Sequence, residues 1–250
     1  MKKRNFFLFA LTSAVSYSMA FAGNMGSTLQ NIERKWVGTI SAGPIWLNPG
    51  KTQTFYLTPG IEKTYAANKT NHAIFDGEVF VGTQKKLSSI IDGQFGIAVA
   101  ATTHDNLSGQ IWDDAAPVFN NYTYAYKIQH THIAFKSKFL ADPGYFLMPW
   151  VSASIGVGFN HTYSFSNTPT IFQAQINPNF PAYTRNTFTY TVGAGVQKTL
   201  MDHLQVGIGY EFSDLGQSNL GRAPGQTLGT GVSLPYTYTN GFLVNLTYLA

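Results

Sequence analysis

The residues best suited to chemistry are few and scattered: Asp76, Glu78, Asp92, His130, His132, Lys136, Lys138 and Glu211. His130-Thr131-His132 would set two imidazoles on one face of a strand, which suggests a metal ion. Two ligands need at least a third, however, and the chain has no cysteine. Asp105, Asn106, Asp113 and Asp114 could approach a hard cation from one connection, although calcium wants about six oxygens. His161 and Ser164 pose the question of an esterase. No carboxylate lies between Asp142 and Asp202 to complete a triad, and no Gly-x-Ser-x-Gly elbow occurs. These patterns predict neither an enzyme nor a resident metal or cofactor.

The elements that would position these side chains are strands. From Ile91, the odd positions Ile91, Phe95, Ile97 and Val99 oppose Asp92, Gln94, Ala98 and Ala100. Val151, Ile155 and Val157 oppose Ser152, Ser154 and Gly158, while Phe188, Tyr190 and Val192 oppose Thr187, Thr189 and Thr191. One face is oily and the other is small or polar. A water-soluble sandwich would put its bulk inside and its charges outside. Here only 11% of residues are charged, against about 25% in ordinary soluble domains. An oily face with few charges suits lipid, and a face of small residues suits a narrow lumen.

Eight strands follow, at roughly 35–47, 73–84, 89–102, 122–139, 145–159, 186–199, 204–213 and 236–249. Short turns alternate with long connections at 48–72, 103–121, 160–185 and 214–235. This pattern predicts an all-β fold: an eight-stranded antiparallel up-and-down transmembrane β-barrel with both termini on the periplasmic side. Trp36 and Trp46 share a strand face ten residues apart, as do Tyr238 and Tyr248. At about 3.3 Å per residue and a ~45° tilt, each pair spans about 23 Å, near the ~25 Å apolar band of such barrels, and marks an aromatic girdle. The fourth strand is irregular. Tyr122, Tyr124, Tyr126 and Ile128 keep one parity, and Ile133, Phe135 and Phe139 keep the other. Either a β-bulge lies near Gln129 or His130, or residues 122–128 stand above the membrane.

The ends carry addressing signals. Lys2, Lys3 and Arg4 precede the apolar run Phe6 to Val15, and Ala20-Phe21-Ala22 is a small-x-small cleavage pattern. Residues 1–22 read as a cleaved signal peptide, 23–34 as a periplasmic segment and 35–250 as the barrel. Three of the 16 bases leave with the signal, so 13 remain against 12 acids. No basic cluster is left to track nucleic acid. Thr239-x-Gly241-x-x-Val244-x-Leu246, followed by Tyr248, resembles a β-signal for outer-membrane assembly, although the chain ends on Ala250. No peptidoglycan-binding domain is expected after the last strand.

Met148-Pro149-Trp150-Val151, running on through Gly156-Val157-Gly158 to Asn160, resembles the Pro-aromatic-Val…Gly-x-Gly strand of the opacity/OmpA-type outer-membrane β-barrel family. Thr191-Val192-Gly193-Ala194-Gly195-Val196 is similar to its following strand. The resemblance implies the outer membrane of a Gram-negative bacterium, contact with membrane lipid and lipopolysaccharide, and no catalytic residues. Two functions are compatible. One is a surface or envelope role, through loops bearing Phe55, Tyr56, Trp112, Phe119, Phe172, Phe180 and Tyr183 that meet a host-surface ligand. The other is a small pore or a conduit for hydrophobic ligands. The eight ionisable residues all fall on the small-polar parity, where an isolated charge is costly, so they are expected to form a plug. Glu78 and Glu211 are expected to pair across the lumen with Lys136 or Lys138; height favours Glu78 as the partner of Lys136 and makes His130 or His132 the alternative partners of Glu211.

Overall fold

The computed structural model describes residues 35–48, 50–69, 72–172 and 177–250. The expected signal peptide and periplasmic segment lie outside the described residues. No α-helix occurs among them, and one 3-10 turn covers Pro117–Phe119. The strands are β1 (Lys35–Leu47), β2 (Gln53–Thr58), β3 (Ile61–Ala67), β4 (Ala73–Lys86), β5 (Ile91–Thr102), β6 (Asp105–Asp113) and β7 (Asn120–Ala141). They continue as β8 (Met148–Pro169), β9 (Tyr183–Met201), β10 (Leu204–Asp214), β11 (Ser218–Asn219), β12 (Ser233–Leu234) and β13 (Tyr238–Leu249).

Eight of these strands form a closed antiparallel ring in the order β1-β4-β5-β7-β8-β9-β10-β13, and β13 pairs back onto β1 from Val37↔Leu249 to Leu47↔Thr239. Closure leaves the ring no edge and satisfies its backbone groups internally, which a lipid environment demands. Its short-turn end is made by tight connections. In one of them Asp142 Oδ1 accepts from the Gly144 amide at 3.1 Å, and Gly144 takes φ +83°, a conformation that favours glycine.

Alternation sets the two faces. Ile40, Val79, Val99, Ile133, Ile155, Val192, Ile208 and Val244, one from each ring strand, point outward and are 47–61% exposed. Their inward neighbours Ser41, Glu78, Ala100, Ala134, Ser154 and Thr191 are buried. Such a belt would be an aggregating patch in water, whereas lipid satisfies it. The fold is an eight-stranded transmembrane β-barrel.

The long connections are more structured than the sequence suggests. Residues 48–72 contain the hairpin β2–β3, residues 103–121 contain β6, and β8 and β9 run into 160–185. These strands pair in the order β2-β3-β6-β7, and the upper halves of β7, β8 and β9 extend the wall beyond the ring. The expected bulge near Gln129 or His130 is absent, because even positions of β7 face inward without a break from Tyr122 to Leu140. Residues 122–128 pair with β6, above the β5–β7 ladder. The irregularity is in β8 instead, where the register with β7 shifts between Ala125 and Lys127 and Ser164 has φ +55°.

Inside this upper wall is the largest apolar core, which includes Tyr65, Ile111, Tyr122, Tyr124, Phe180 and Leu220. Phe55 stacks on Tyr65 at 5.1 Å, and Tyr124 meets Tyr65 edge-on at 5.6 Å. Phe55 and Phe180 are therefore not displayed to ligands as expected. Water lies outside this wall and other loops lie inside it, so the aromatics turn inward. Phe172, Tyr56, Phe119 and Tyr183 do remain exposed.

Candidate functional site

The inward positions of β7 form a ladder down the lumen: Tyr122, Tyr124, Tyr126, Ile128, His130, His132, Ala134, Lys136 and Lys138. Each rung carries a different chemistry, and the residues facing it come from strands across the barrel.

At the charged rung, Lys136 Nζ donates to Glu78 Oε1 at 2.6 Å and Oε2 at 2.8 Å, and to Glu211 Oε2 at 3.2 Å. Glu78, Lys136 and Glu211 come from β4, β7 and β10, so the triad crosses the lumen. Glu211 meets Lys136, one of its two expected lysine partners, and not the alternative histidines, because the ammonium reaches across the barrel to β10. Among the described residues, no carboxylate lies within ion-pair distance of Lys138. Its Nζ donates to Gln197 Oε1 at 2.5 Å and lies 4.6 Å over the Trp150 ring. The indole fills the space above Gly195 and Gly209, where an added Cβ would come within 2.6 and 2.2 Å of it. Asp76 is buried two residues from Glu78 on the same face. Asp92 belongs to a separate group at the short-turn end, where it accepts from Gln84 Nε2 at 3.3 Å. Glu78, Lys136, Trp150, Glu211 and Asn245 line a cavity of about 20 Å³ at this level, room for about one water.

One level up, His130 and Asn160 are direct register partners on β7 and β8. Asn160 Nδ2 donates to the carbonyls of Leu215 and Gln217, so its Oδ1 accepts from His130 Nδ1 at 2.6 Å. His130 Nε2 then accepts from His132 Nδ1 at 3.1 Å. That assignment leaves His132 Nε2 as the one uncommitted lone pair of the two rings. Among the described residues no three His, Cys, Asp or Glu converge on a metal position. Asp105 and Asp113 stand at opposite ends of β6, about 26 Å apart at strand rise, and Asp113 is bonded to Lys63 and Asn121. His161 Nδ1 bonds Thr184 Oγ1 at 2.8 Å, and Ser164 is exposed at the bulge.

At the long-loop end the fourth connection folds over the mouth. Thr162 Oγ1 donates to the Asn219 carbonyl at 2.6 Å, the Thr227 amide donates to Leu57 O at 2.9 Å, and Gln53 Nε2 donates to Ser233 O at 2.9 Å. Its Leu220, Val232 and Leu234 are buried in the apolar core. All four long connections then meet at an outward cleft of about 620 Å³, lined by Leu57, Lys63, Asp113, Asp114, Pro178 and Gln226 among others.

The aromatic pairs sit at both ends of the outer belt. Trp36 donates its amide to Ala250 O beside Tyr248; at the other end Trp46 pairs with Asn240 and meets Phe242 edge-on at 6.4 Å, and Asn48 donates its amide to the Tyr238 carbonyl. Tyr238 continues through Phe212 to Tyr190, with centroids 5.8 and 6.4 Å apart. Trp150 and Asn160, legible in the sequence only as parts of a strand motif, and Gln197 are not among the expected lumen residues. Their signal is a large polar or aromatic side chain on an otherwise small inward parity.

No protein-family model matches the chain, and no curated protein matches it in sequence. Solved structures do. The Neisserial surface protein A is 10% identical over 86% of this chain and 98% of its own, with a TM-score of 0.43. The outer membrane protein OprG from Pseudomonas aeruginosa is 10% identical over 87% and 97%, with a TM-score of 0.43. The outer membrane protease OmpT from Escherichia coli is 8% identical over 91% and 99%, with a TM-score of 0.47. At these identities the likeness is one of shape, and the fold rests on the closed ring of pairings.

Proposed function

We propose that this chain is an outer-membrane barrel of a Gram-negative bacterium that works through its outer loops, in surface interaction or envelope integrity. In this reading residues 1–22 are removed on export, residues 23–34 lie in the periplasm, and the long connections face outside the cell. The opacity/OmpA-type resemblance belongs to the same reading, with lipopolysaccharide around the barrel and a host-surface ligand at the loop cleft. No catalytic role is assigned.

The observation that carries it is a lumen obstructed at two levels. The Lys136–Glu78–Glu211 triad crosses it in the membrane, and the apolar core of folded loops covers it above. A filled lumen leaves the loops as the working surface. Reconstitution in planar bilayers is the test. Silent membranes are expected, and stepwise openings in most insertions would overturn it.

A passage for apolar ligands is the second reading. It is favoured by the apolar inner wall at Tyr122, Tyr124, Tyr126 and Ile128. Saturable binding of a fluorescent fatty acid, lost when Tyr124 is replaced by Asp in a variant that still folds, would favour it over the first.

A further inference from the structure

Above the membrane belt the wall is incomplete on one side. β9 pairs with β8 up to Tyr183, but its pairing with β10 begins only at Tyr190. A cavity of about 620 Å³ lies along this upper edge, beside which the fourth connection runs. It takes Thr184 and Asn186 from the outward parity of β9, Arg185 from the inward parity, and Asn219, Arg222 and Thr230 from the fourth connection. Arg185 and Arg222 are the two arginines among the described residues, and both line it.

Their partners are all neutral. Arg185 donates from one terminal nitrogen to Asn219 Oδ1 at 3.0 Å and from the other to Gln217 Oε1 at 2.5 Å. Arg222 Nε donates to the Gly229 carbonyl at 3.1 Å. Amide oxygens fix a guanidinium without cancelling its charge. Each has five N–H donors, so three remain on Arg185 and four on Arg222. Among the described residues no Asp or Glu lines the cavity, and the ion pairs lie elsewhere.

From this geometry we infer that Arg185 and Arg222 form a site for a phosphate group, carried either by a saccharide headgroup of the surrounding outer leaflet or by a phosphorylated solute. Two fixed guanidinium groups match the charge and the bidentate geometry of a phosphate dianion. Height agrees with the first source. Arg185 is five residues beyond the girdle residue Tyr190, about 16 Å along the strand and about 12 Å above the belt at ~45° tilt. The site rests on the proposed orientation, with the long connections outside.

The test uses the refolded full barrel in detergent micelles, with three probes: lipopolysaccharide, the same material dephosphorylated, and its lipid-free phosphorylated oligosaccharide. Arg222→Gln removes one exposed contact and should leave heat-modifiable gel mobility intact, and Lys51→Gln controls for general charge. Wild type should bind the phosphorylated lipid about tenfold more tightly than the dephosphorylated form, with most of that preference lost in Arg222→Gln and kept in Lys51→Gln. Equal binding of both lipids, or equal losses in both variants, would overturn the site. Competition by the oligosaccharide supports it and identifies recognition of the sugar phosphate itself, whereas binding confined to the intact lipid supports it and identifies the leaflet as source. Conductance of the same preparations reports separately on the sealed-lumen reading, which can fail while phosphate-dependent binding persists.

Discussion

Replacing Lys136 by Met should be the most damaging single change in the lumen. Its ammonium is the ion-pair partner of both Glu78 and Glu211, and all three residues are buried. At an effective dielectric of about 20, unit charges about 3 Å apart attract by roughly 5–6 kcal/mol, and much of this offsets the desolvation of the ions. Removing the cation leaves two carboxylates buried without a contacting counter-charge. Breaking a buried pair costs about 3–5 kcal/mol, and two dependent anions place Lys136→Met toward the upper end. Glu78→Gln keeps the shape and leaves Lys136 on Glu211, so about 1.5–3 kcal/mol is expected for the lost charged hydrogen bonds. Glu211→Gln removes one longer contact and should cost least. Urea unfolding from lipid vesicles, followed by tryptophan fluorescence and by heat-modifiable gel mobility, ranks the three. A loss below about 1 kcal/mol in Lys136→Met, within the range of surface changes, would refute the triad as a structural unit, as would Glu211→Gln exceeding it.

On the lipid face, Val99→Arg or Ile155→Arg should cost about 2–4 kcal/mol near mid-membrane, read by folding into liposomes. Ser154→Arg on the opposite face should act through crowding, so shortening it to Ser154→Ala should restore folding where Val99→Lys does not. Gly209→Ala would drive a methyl into the Trp150 ring and should cost about 1–3 kcal/mol with a shifted indole emission; an unchanged spectrum would show that the ring does not rest there. Burial holds the Asp105 carboxyl above its ordinary value, outside the membrane, with His72 and His104 acting in the opposite sense. A carboxyl raised in the folded state binds its proton more tightly folded than unfolded, so its contribution is most favourable below the ordinary value and is lost as pH rises through the raised one. Asp105→Asn should therefore protect β6 amides from hydrogen exchange more than wild type does at pH 8, with the difference shrinking toward pH 4; a difference that grows on acidification would contradict this.

Parity made the membrane face legible, because lipid imposes a period of two on every strand it touches. Val99 against Ala100, and Ile155 against Ser154, needed no knowledge of the rest of the chain. The closing of the ring was legible for the same reason, through the alternation of short and long connections. What crosses the lumen was less so. Glu78, Lys136 and Glu211 share a parity, but their common height depends on the stagger of the barrel, which no local pattern carries. Position along the strand alone therefore offers Glu211 the histidines as well as the lysines, and only the stagger brings it to Lys136. The outer loops were the least legible. Gln53 meets Ser233 across 180 residues, and an Asn or Gln that bonds a distant carbonyl looks in sequence like any other polar loop residue.

The fourth ring strand shows how one chain crosses from lipid to water. Within the membrane the surroundings of the wall are apolar, so Ile133, Phe135 and Phe139 of β7 face out. Beyond it the surroundings are aqueous and the interior is loop, so Tyr122, Tyr124, Tyr126 and Ile128 face in. β7 keeps an unbroken alternation and changes which parity carries the apolar side chains. Its neighbour β8 reaches the same end by another route. Asn160 and Thr162 face in at even positions, then the bulge at Ser164 inserts one residue, and Phe165 at an odd position packs on the apolar core. A single inserted residue exchanges the two faces of a strand. The parity change of β7 falls between Ile128 and Ile133, at the histidine pair, and the bulge of β8 lies opposite Tyr126, a few residues further up the same wall. The change of solvent therefore dictates the irregularity that the sequence of β7 presents, and its backbone needs no defect to accommodate it.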